Sequence, residues 1–246
     1  MFAPQTLPEH FGTKLITIPE GWDIVSTLVY FANHAGGYRC RLVVGAMGMT
    51  YEDTPKMNKI GHVAATCLAK VKVPVTIVKN PWRSADGDRC AAGRVMRVGR
   101  NGKPGLTIAV AVDGTIISQR AFDYAVELLR PHDRLLCLHV ADVGNREFPP
   151  EQRDYYVGEC AKLTELGLQA SIVAEFAEIH HTESKSTAFV HSDIVNYCEK
   201  EELDLLVMGS VELSKVTKVH TLGSVCANVA KGLGCHFTVI KNTSLV

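Results

Sequence analysis

Two places in the chain carry residue types that can hold a phosphorylated nucleoside. Asp113 closes the apolar run Leu106 to Val112 and is followed by Gly114 and Thr115. Met208, Gly209 and Ser210 close a second apolar run, and Gly223, Ser224 and Val225 open a helix-like stretch further on. A helix that begins with Gly and Ser offers uncommitted backbone N–H groups and the positive end of its dipole to a phosphate. An aspartate at a neighbouring strand end can accept a hydrogen bond from a ribose hydroxyl or an adenine amine. In open α/β sheets such ligands sit beyond the carboxyl ends of the strands, where the strand order reverses. The same residues also fit a reading without a ligand, in which Gly209 and Gly223 are turn glycines and Ser224 is a helix N-cap.

Other chemistries find less support. His180 and His181, with His191 and His220 elsewhere, do not stand at the spacing of HExxH or of paired Cys/His ligands, so no metal site is expected. His139 lies in an apolar run and reads as a core histidine, while Met47 and Met49 read as packing residues around Gly48. Arg94, Arg97, Arg100 and Lys103 read as a solvated segment. There is no GxSxG, no Ser/His/Asp set, no GxxxxGK[ST] and no kinase signature. No catalytic residue is therefore assigned, and the chain is expected not to be an enzyme.

The elements that must position these residues alternate along the second half of the chain. Leu106 to Val112 is a continuous β-rich run, the pattern of a strand covered on both faces. Ala121, Phe122, Ala125, Leu128 and Leu129 recur at helical spacing until Pro131, His132 and Asp133 interrupt them. Leu135 to Val140 predicts a second strand. Pro149 and Pro150 open a helix that runs to about Leu166 and ends at Gly167. Ala170 to Ala177 predicts a third strand, and His180 to Thr187 a polar loop. Ser192 or Asp193 caps a helix through Glu201, and Leu203 to Met208 predicts a fourth strand. A long loop from Gly209 to Thr221, a helix from Ser224 to Lys231 and a strand from His236 to Lys241 complete the series. This order argues for an α/β fold, a five-stranded parallel sheet with helices on both faces.

The N-terminal segment repeats the last part of that plan. Ile60, Gly61 and His62 align with Leu222, Gly223 and Ser224, and Thr76 to Asn80 aligns with Thr238 to Asn242, both at an offset of 162 residues. Leu42 to Gly45 matches Leu206 to Gly209, and Asp23 to Val25 matches Asp193 to Val195, with other loop lengths between them. The pattern reads as an internal duplication of the second half of the unit. A strand at Lys14 to Ile18 extends the match, and another is expected around Arg94 to Val98. The expected organisation is a truncated repeat at 1–80, a linker at 81–105 and a complete unit at 106–246.

Composition excludes several classes. Of 246 residues, 46% are hydrophobic and 21% charged, which is ordinary globular usage and not that of a disordered chain. Lys and Arg number 26, Asp and Glu also 26, and the net charge is +0. Without a basic excess, neither nucleic acid nor an anionic membrane is an expected partner. No segment approaches the ~18 consecutive apolar residues of a membrane span. Cys40, Cys67, Cys90, Cys137, Cys160, Cys198, Cys226 and Cys235 are scattered without a CxxC pair. They read as reduced thiols of a cytoplasmic protein, not as a disulfide framework. The first residues lack the charge and apolar run of a secretory leader, and the last lack a prenylation or peroxisomal signal.

The assembled pattern resembles the universal stress protein family. Ile108 to Thr115, Arg120 to Ala125, Leu138 to Val140, Leu205 to Ser210 and Leu222 to Val225 carry the resemblance. It spans about 106–242 and extends more weakly over about 14–80. It implies a five-stranded parallel sheet of order 3-2-1-4-5, in the adenine nucleotide alpha-hydrolase-like class. Many members of the family bind ATP and others do not. In the binding members the nucleotide is held by the aspartate ending the first strand, a valine ending the second, and a loop of pattern G-2x-G-9x-G-[S/T]. Asp113 matches that aspartate and Val140 that valine. Gly209 matches the first loop glycine, Gly223 and Ser224 its final pair, and Val225 follows as in ATP-binding members. Two departures stand out: Glu212 replaces the second glycine, and the loop from there to Gly223 is one residue longer. A carboxylate about 4 Å from a phosphate in a semi-exposed site costs of order 1–4 kcal/mol, and Lys215 and Lys218 can offset it. In the N-terminal copy Gly45 and Gly48 keep the spacing, but twelve residues separate Gly48 from Gly61, and His62 replaces Ser or Thr. That copy also has no counterpart of Asp113 and is not expected to form a nucleotide site.

Two functions stay open on this reading. One is an adenine-nucleotide-binding stress-response regulator that takes ATP, with magnesium, through Asp113, Val140, Gly209, Gly223, Ser224 and Val225. The other is a structural or scaffold subunit that has lost the nucleotide and uses the fold to hold a protein partner or a second copy. Domains of this family commonly pair through their fifth strands. The resemblance therefore implies a pseudo-dimer in which Val75 to Lys79 lies against Phe237 to Lys241, covering edges that would otherwise invite aggregation.

Overall fold

A computed structural model describes residues 18–34, 41–46, 60–79, 102, 104–141, 148–167, 171–180, 190–210 and 222–241. The N-terminal part contains helix α1 (Ile24–His34), strand β1 (Leu42–Gly45), helix α2 (His62–Lys70) and strand β2 (Val75–Val78). There follow β3 (Thr107–Ala111), α3 (Ile116–Leu128), β4 (Arg134–Ala141), α4 (Pro150–Gly167) and β5 (Val173–His180). The chain ends with α5 (Val190–Lys200), β6 (Leu205–Ser210), α6 (Ser224–Gly232) and β7 (His236–Lys241). The seven described strands join one sheet of order β1-β2-β7-β6-β3-β4-β5. Counting only the strands from β3 onward, the order is the 3-2-1-4-5 of the expected parallel unit.

The continuous apolar runs are buried on both faces, as their sequence requires. Ile108, Val110 and Val112 face one way, where Ala121 and Phe122 of α3 and Tyr156 and Cys160 of α4 cover them. Ala109, Leu136, Leu138, Leu206, Met208, Phe237 and Val239 face the other way, against α5 and α6. Two buried carboxylates fix where β3 begins. Asp133 accepts from the Leu106 N–H at 2.8 Å and the Arg130 N–H at 2.9 Å, and Asp204 accepts from the Thr107 N–H at 2.8 Å.

Boundaries differ from expectation at two strands, where pairing with a neighbour overrides the local pattern, and at one helix. The third strand spans Val173–His180, three residues later than the apolar run suggests. Its span is set by full register with β4, from Arg134↔Val173 to Ala141↔His180, so His180 belongs to the sheet and not to the loop. The fourth strand begins at Leu205, where it meets Ile108 of β3, and therefore includes Gly209 and Ser210. Helix α5 begins at Val190, ahead of Ser192 and Asp193.

The N-terminal part docks on the open edge of the complete unit. β2 pairs antiparallel with β7 in the register Val75↔Val239, Thr76↔Thr238, Ile77↔Phe237, which is the pairing the sequence suggests. The Thr76 and Thr238 hydroxyls meet at 2.8 Å. β1 extends the sheet, parallel to β2. Ala64, Cys67, Leu68, Val75 and Ile77 join the same core as α5 and α6. On the other face Val43 remains 61% exposed. The strand expected around Arg94 to Val98 lies outside the described residues, as do Lys14 to Thr17, and Ile18 is in no strand.

Candidate functional site

The carboxyl ends of β3, β4 and β6 lie side by side, and the chain reverses its strand order between β3 and β6. In the ladder Ala111 stands beside Leu138 on one side and Met208 on the other. Two residues further along each strand come Asp113, Val140 and Ser210, so these three occupy one level at the rim. Ser210 in turn is the rung partner of Lys241. The rim is therefore built by register, and it sits where an open α/β sheet takes its ligand.

Asp113 is exposed and begins the turn into α3. Its Oδ1 accepts from the Thr115 N–H at 3.0 Å and the Thr115 hydroxyl at 2.7 Å. Thr115 is the N-cap of α3, accepting from the Ser118 N–H at 3.2 Å. These bonds hold the carboxylate at the rim, and among the described residues none falls on Oδ2. Gly114 has φ +79, and a Cβ there would stand 1.8 Å from Gln152 Oε1. The Gln152 amide donates to Gly114 O at 3.1 Å while its Oε1 is buried with no hydrogen-bond partner among the described residues. The turn thus needs glycine for its left-handed backbone and for the side chain laid against it.

On the other side of the switch, Gly223 is the N-cap of α6 and makes no side-chain cap bond. Ser224 is the first residue of the helix, not its cap. Among the described residues, no side chain caps the first-turn N–H groups, one of which such an acceptor ordinarily satisfies. Gly223 is held by the buried Ser210, whose hydroxyl accepts its N–H at 3.3 Å. Cys226 donates its thiol to Gly209 O at 3.3 Å. Gly209 itself lies under α3: a Cβ there would meet Ile117 Cγ2 at 2.7 Å and the Ile117 carbonyl carbon at 2.9 Å. Its smallness has a packing reason that holds with or without a ligand.

Electrostatics tie the two sides together. Burial pushes the Cys226 thiol up to about 12; Lys241 and the Ser210 bond pull against that, and Asp113 adds to it. Burial likewise pushes the Tyr156 phenol up to about 12, against the pull of Ser118, with Asp113 among the smaller contributions. The negative charge of Asp113 is thus felt both beneath α3 and at the first turn of α6. Val140 is half-buried beside it, and its neighbour His139 is a satisfied core histidine. The His139 Nδ1–H donates to Val112 O at 3.0 Å, and the ring stacks on Phe148 at 4.0 Å.

The six expected residues lie toward the carboxyl edge of the sheet: Asp113 and Val140 at adjacent strand ends, Gly209 near the end of β6, and Gly223, Ser224 and Val225 at the start of α6. Glu212, Lys215 and Lys218, together with Gly48 of the N-terminal part, lie outside the described residues. Gln152 was not among the candidates, because its role depends on α4 packing against the turn after β3. Among the described residues no group of three or more His, Cys, Asp or Glu is placed to hold a metal ion. No described helix is long and apolar enough to cross a membrane, and the six described cysteines are free and buried. A groove of about 490 Å³ lies elsewhere, between α1 and α2, lined by Trp22, Tyr30, His34 and Lys70 among others. It shares no residue with the rim.

The class defined by this geometry is a mostly parallel α/β sheet whose strand order reverses between β3 and β6. The family model of the universal stress protein family matches residues 106–241, more than half the chain. The chain belongs to the universal stress protein family. No curated protein matches it. Among solved structures it is similar to a universal stress protein from Archaeoglobus fulgidus, at 19% identity over 55% of this chain and 97% of that one, with a TM-score of 0.39. It is similar to a putative universal stress protein from Pseudomonas aeruginosa, at 12% identity over 87% and 66%, TM-score 0.47. A family member from Arabidopsis thaliana, solved with AMP bound, matches at 19% identity over 56% and 93%, TM-score 0.35.

Proposed function

We propose that this chain is a stress-response regulator that takes an adenine nucleotide, ATP with magnesium, in the cleft between β3 and β6. The observation that carries the proposal is the placement at one rim of an exposed, oriented carboxylate and a helix start that no described side chain caps. A phosphate at Gly223, Ser224 and Val225 meets the first-turn N–H groups and the positive end of α6. The uncharged adenosine end then faces Asp113 and Val140, so that the carboxylate accepts from a ribose hydroxyl and stands apart from the phosphates. No residue is assigned to the magnesium, which travels with the nucleotide. No residue is assigned to hydrolysis, and the protein is not proposed as an enzyme.

The N-terminal part is read as a truncated repeat of the same unit. Its order α1-β1-α2-β2 follows α5-β6-α6-β7. Helices α2 and α6 each have nine residues, with N-caps Gly61 and Gly223 and C-caps Val71 and Leu233, again 162 residues apart. The docking of this repeat on β7 favours a second, scaffold-like use of the fold, in which the sheet edge serves protein contact.

Calorimetric titration of the full chain with ATP and magnesium tests the nucleotide reading. Saturable binding is expected, weakened roughly tenfold or more in Asp113→Ala, the loss of a hydrogen bond to a charged acceptor. Absence of binding by the folded wild type, or equal affinity in both proteins, would leave the scaffold reading.

A further inference from the structure

Two buried lysines lie at the junction between the halves, and each reaches into the other half. Lys79, just past β2 and 3% exposed, donates its Nζ to Ala230 O at 2.9 Å and to Leu233 O. Lys241, the last residue of β7 and 5% exposed, donates its Nζ to Leu68 O. Ala230 lies in the last turn of α6, Leu233 is the C-cap of that helix, and Leu68 lies in the last turn of α2. The donors and acceptors correspond across the repeat: Lys79 with Lys241 and Leu68 with Ala230 are each 162 residues apart.

The chemistry at both ends is complementary. The last carbonyls of a helix have no intrahelical donor, and they form the negative end of its dipole. Here the N–H groups four residues beyond Leu68 and Ala230, which would close one more turn, are engaged elsewhere. The Lys72 N–H donates to Asn33 Oδ1 at 2.7 Å, and the Gly234 N–H donates to Glu199 Oε1 at 3.1 Å. A buried ammonium needs such acceptors, because without them its desolvation is prohibitive. Each lysine therefore supplies a donor to a helix end in the other half. Around Lys79 stand Cys235 and Glu199, both of which favour its charge, while burial opposes it and lowers its pKa to about 8.

We propose that Lys79 and Lys241 are reciprocal latches, each half supplying the cation that ends the other half's helix, so that α2 and α6 close together or not at all. The device makes the N-terminal repeat a working part of the complete unit. Helix α6 has nine residues and is about 13 Å long; its carboxyl end is gripped by Lys79 and its amino end borders the cleft. This inference does not depend on what the cleft binds.

Amide hydrogen exchange on the full chain tests it, because the two claims are spatially crossed. Lys79→Met is expected to lower protection roughly tenfold in the last turn of α6, in the opposite half. Lys241→Met is expected to do the same in the last turn of α2. Lys79→Arg, which keeps the charge and the donors, is expected to keep α6 protected. The double variant is expected to lose less than the product of the single losses, since either substitution already opens the shared junction. Exchange changes confined to the half that carries the substitution would overturn the proposal, and so would single losses that multiply independently. If Lys79→Met does not fold, Lys79→Gln is read at the same amides, and an unchanged α6 there would overturn it equally.

Discussion

Gly209 separates a packing role from a ligand role, and the separation is measurable. In Gly209→Ala the new methyl would lie 2.7 Å from Ile117 Cγ2, 2.9 Å from the Ile117 carbonyl carbon and 3.0 Å from its oxygen. Real Cβ contacts do not fall below about 3 Å, and two of these three atoms are backbone that no rotamer change can move. Either α3 or β6 must shift, and α3 also carries the Thr115 cap that orients Asp113. Forcing one methyl into a packed interior costs roughly 1–3 kcal/mol. For a chain of this size that is a fall in Tm of about 2–4 °C per kcal/mol. Thermal melts and urea titrations without nucleotide read the effect directly. Truncation of the opposing side chain in Gly209→Ala/Ile117→Ala should relieve only the Cγ2 contact, so the double variant should be less damaged than additivity requires. Melting of Gly209→Ala at the wild-type temperature would refute the argument, because it would mean that α3 does not approach β6 as described.

Further expectations concern the turn and the junction. Gly114→Ala combines a left-handed backbone at φ +79 with a Cβ placed on Gln152 Oε1. It should cost about 1–2 kcal/mol for the backbone alone, seen as a lower urea midpoint; an unchanged midpoint would contradict the turn geometry. The junction should also shape stability against pH. Because the folded pKa of Lys79 is about 8 and its ordinary value is 10.5, the unfolded chain holds the extra proton between these values. Its contribution to stability therefore rises with pH through that window, by up to about 1.4 kcal/mol per pH unit. Cys226, raised from 9.0 to about 12, acts in the opposite sense: its contribution is complete below 9 and is lost as the pH climbs toward 12. The informative quantity is thus the difference between wild type and Lys79→Met in urea titrations from pH 7.5 to 9. The wild type should gain relative to the variant, and parallel profiles would show that Lys79 is not held as described.

How far the fold could be read from the chain follows from the range of the forces involved. The runs around Ile108, Leu136, Leu206 and Phe237 are apolar without alternation, so burial on both faces and a parallel sheet follow from local composition. Asp113, Val140 and Gly223 could be placed at strand and helix ends for the same reason, since each stands where a run stops. The start of β5 at Val173 could not be read in this way, because register with β4 decides it. Ser210 was read as part of a loop near Gly223, but its hydrogen bond to that residue, thirteen positions away, depends on tertiary packing. Lys79 and Lys241 were visible at matching positions of two aligned segments, but nothing local says that each would cap the helix of the opposite half. Gly209 was read as a turn glycine or the first glycine of a phosphate loop, while the reason that it must be small, Ile117, lies on a helix packed from another part of the chain.

The central claim is that a nucleotide sits at the rim of β3, β4 and β6 with its phosphates on α6. Amide-resolved NMR of the full chain, titrated with ATP and magnesium, tests it most directly. The account expects saturable shifts at Asp113 to Thr115, at Val140, and at Gly223 to Cys226, with the groove around Trp22 and Tyr30 unmoved. Shifts centred on that groove, or a folded protein whose rim amides do not respond, would contradict it.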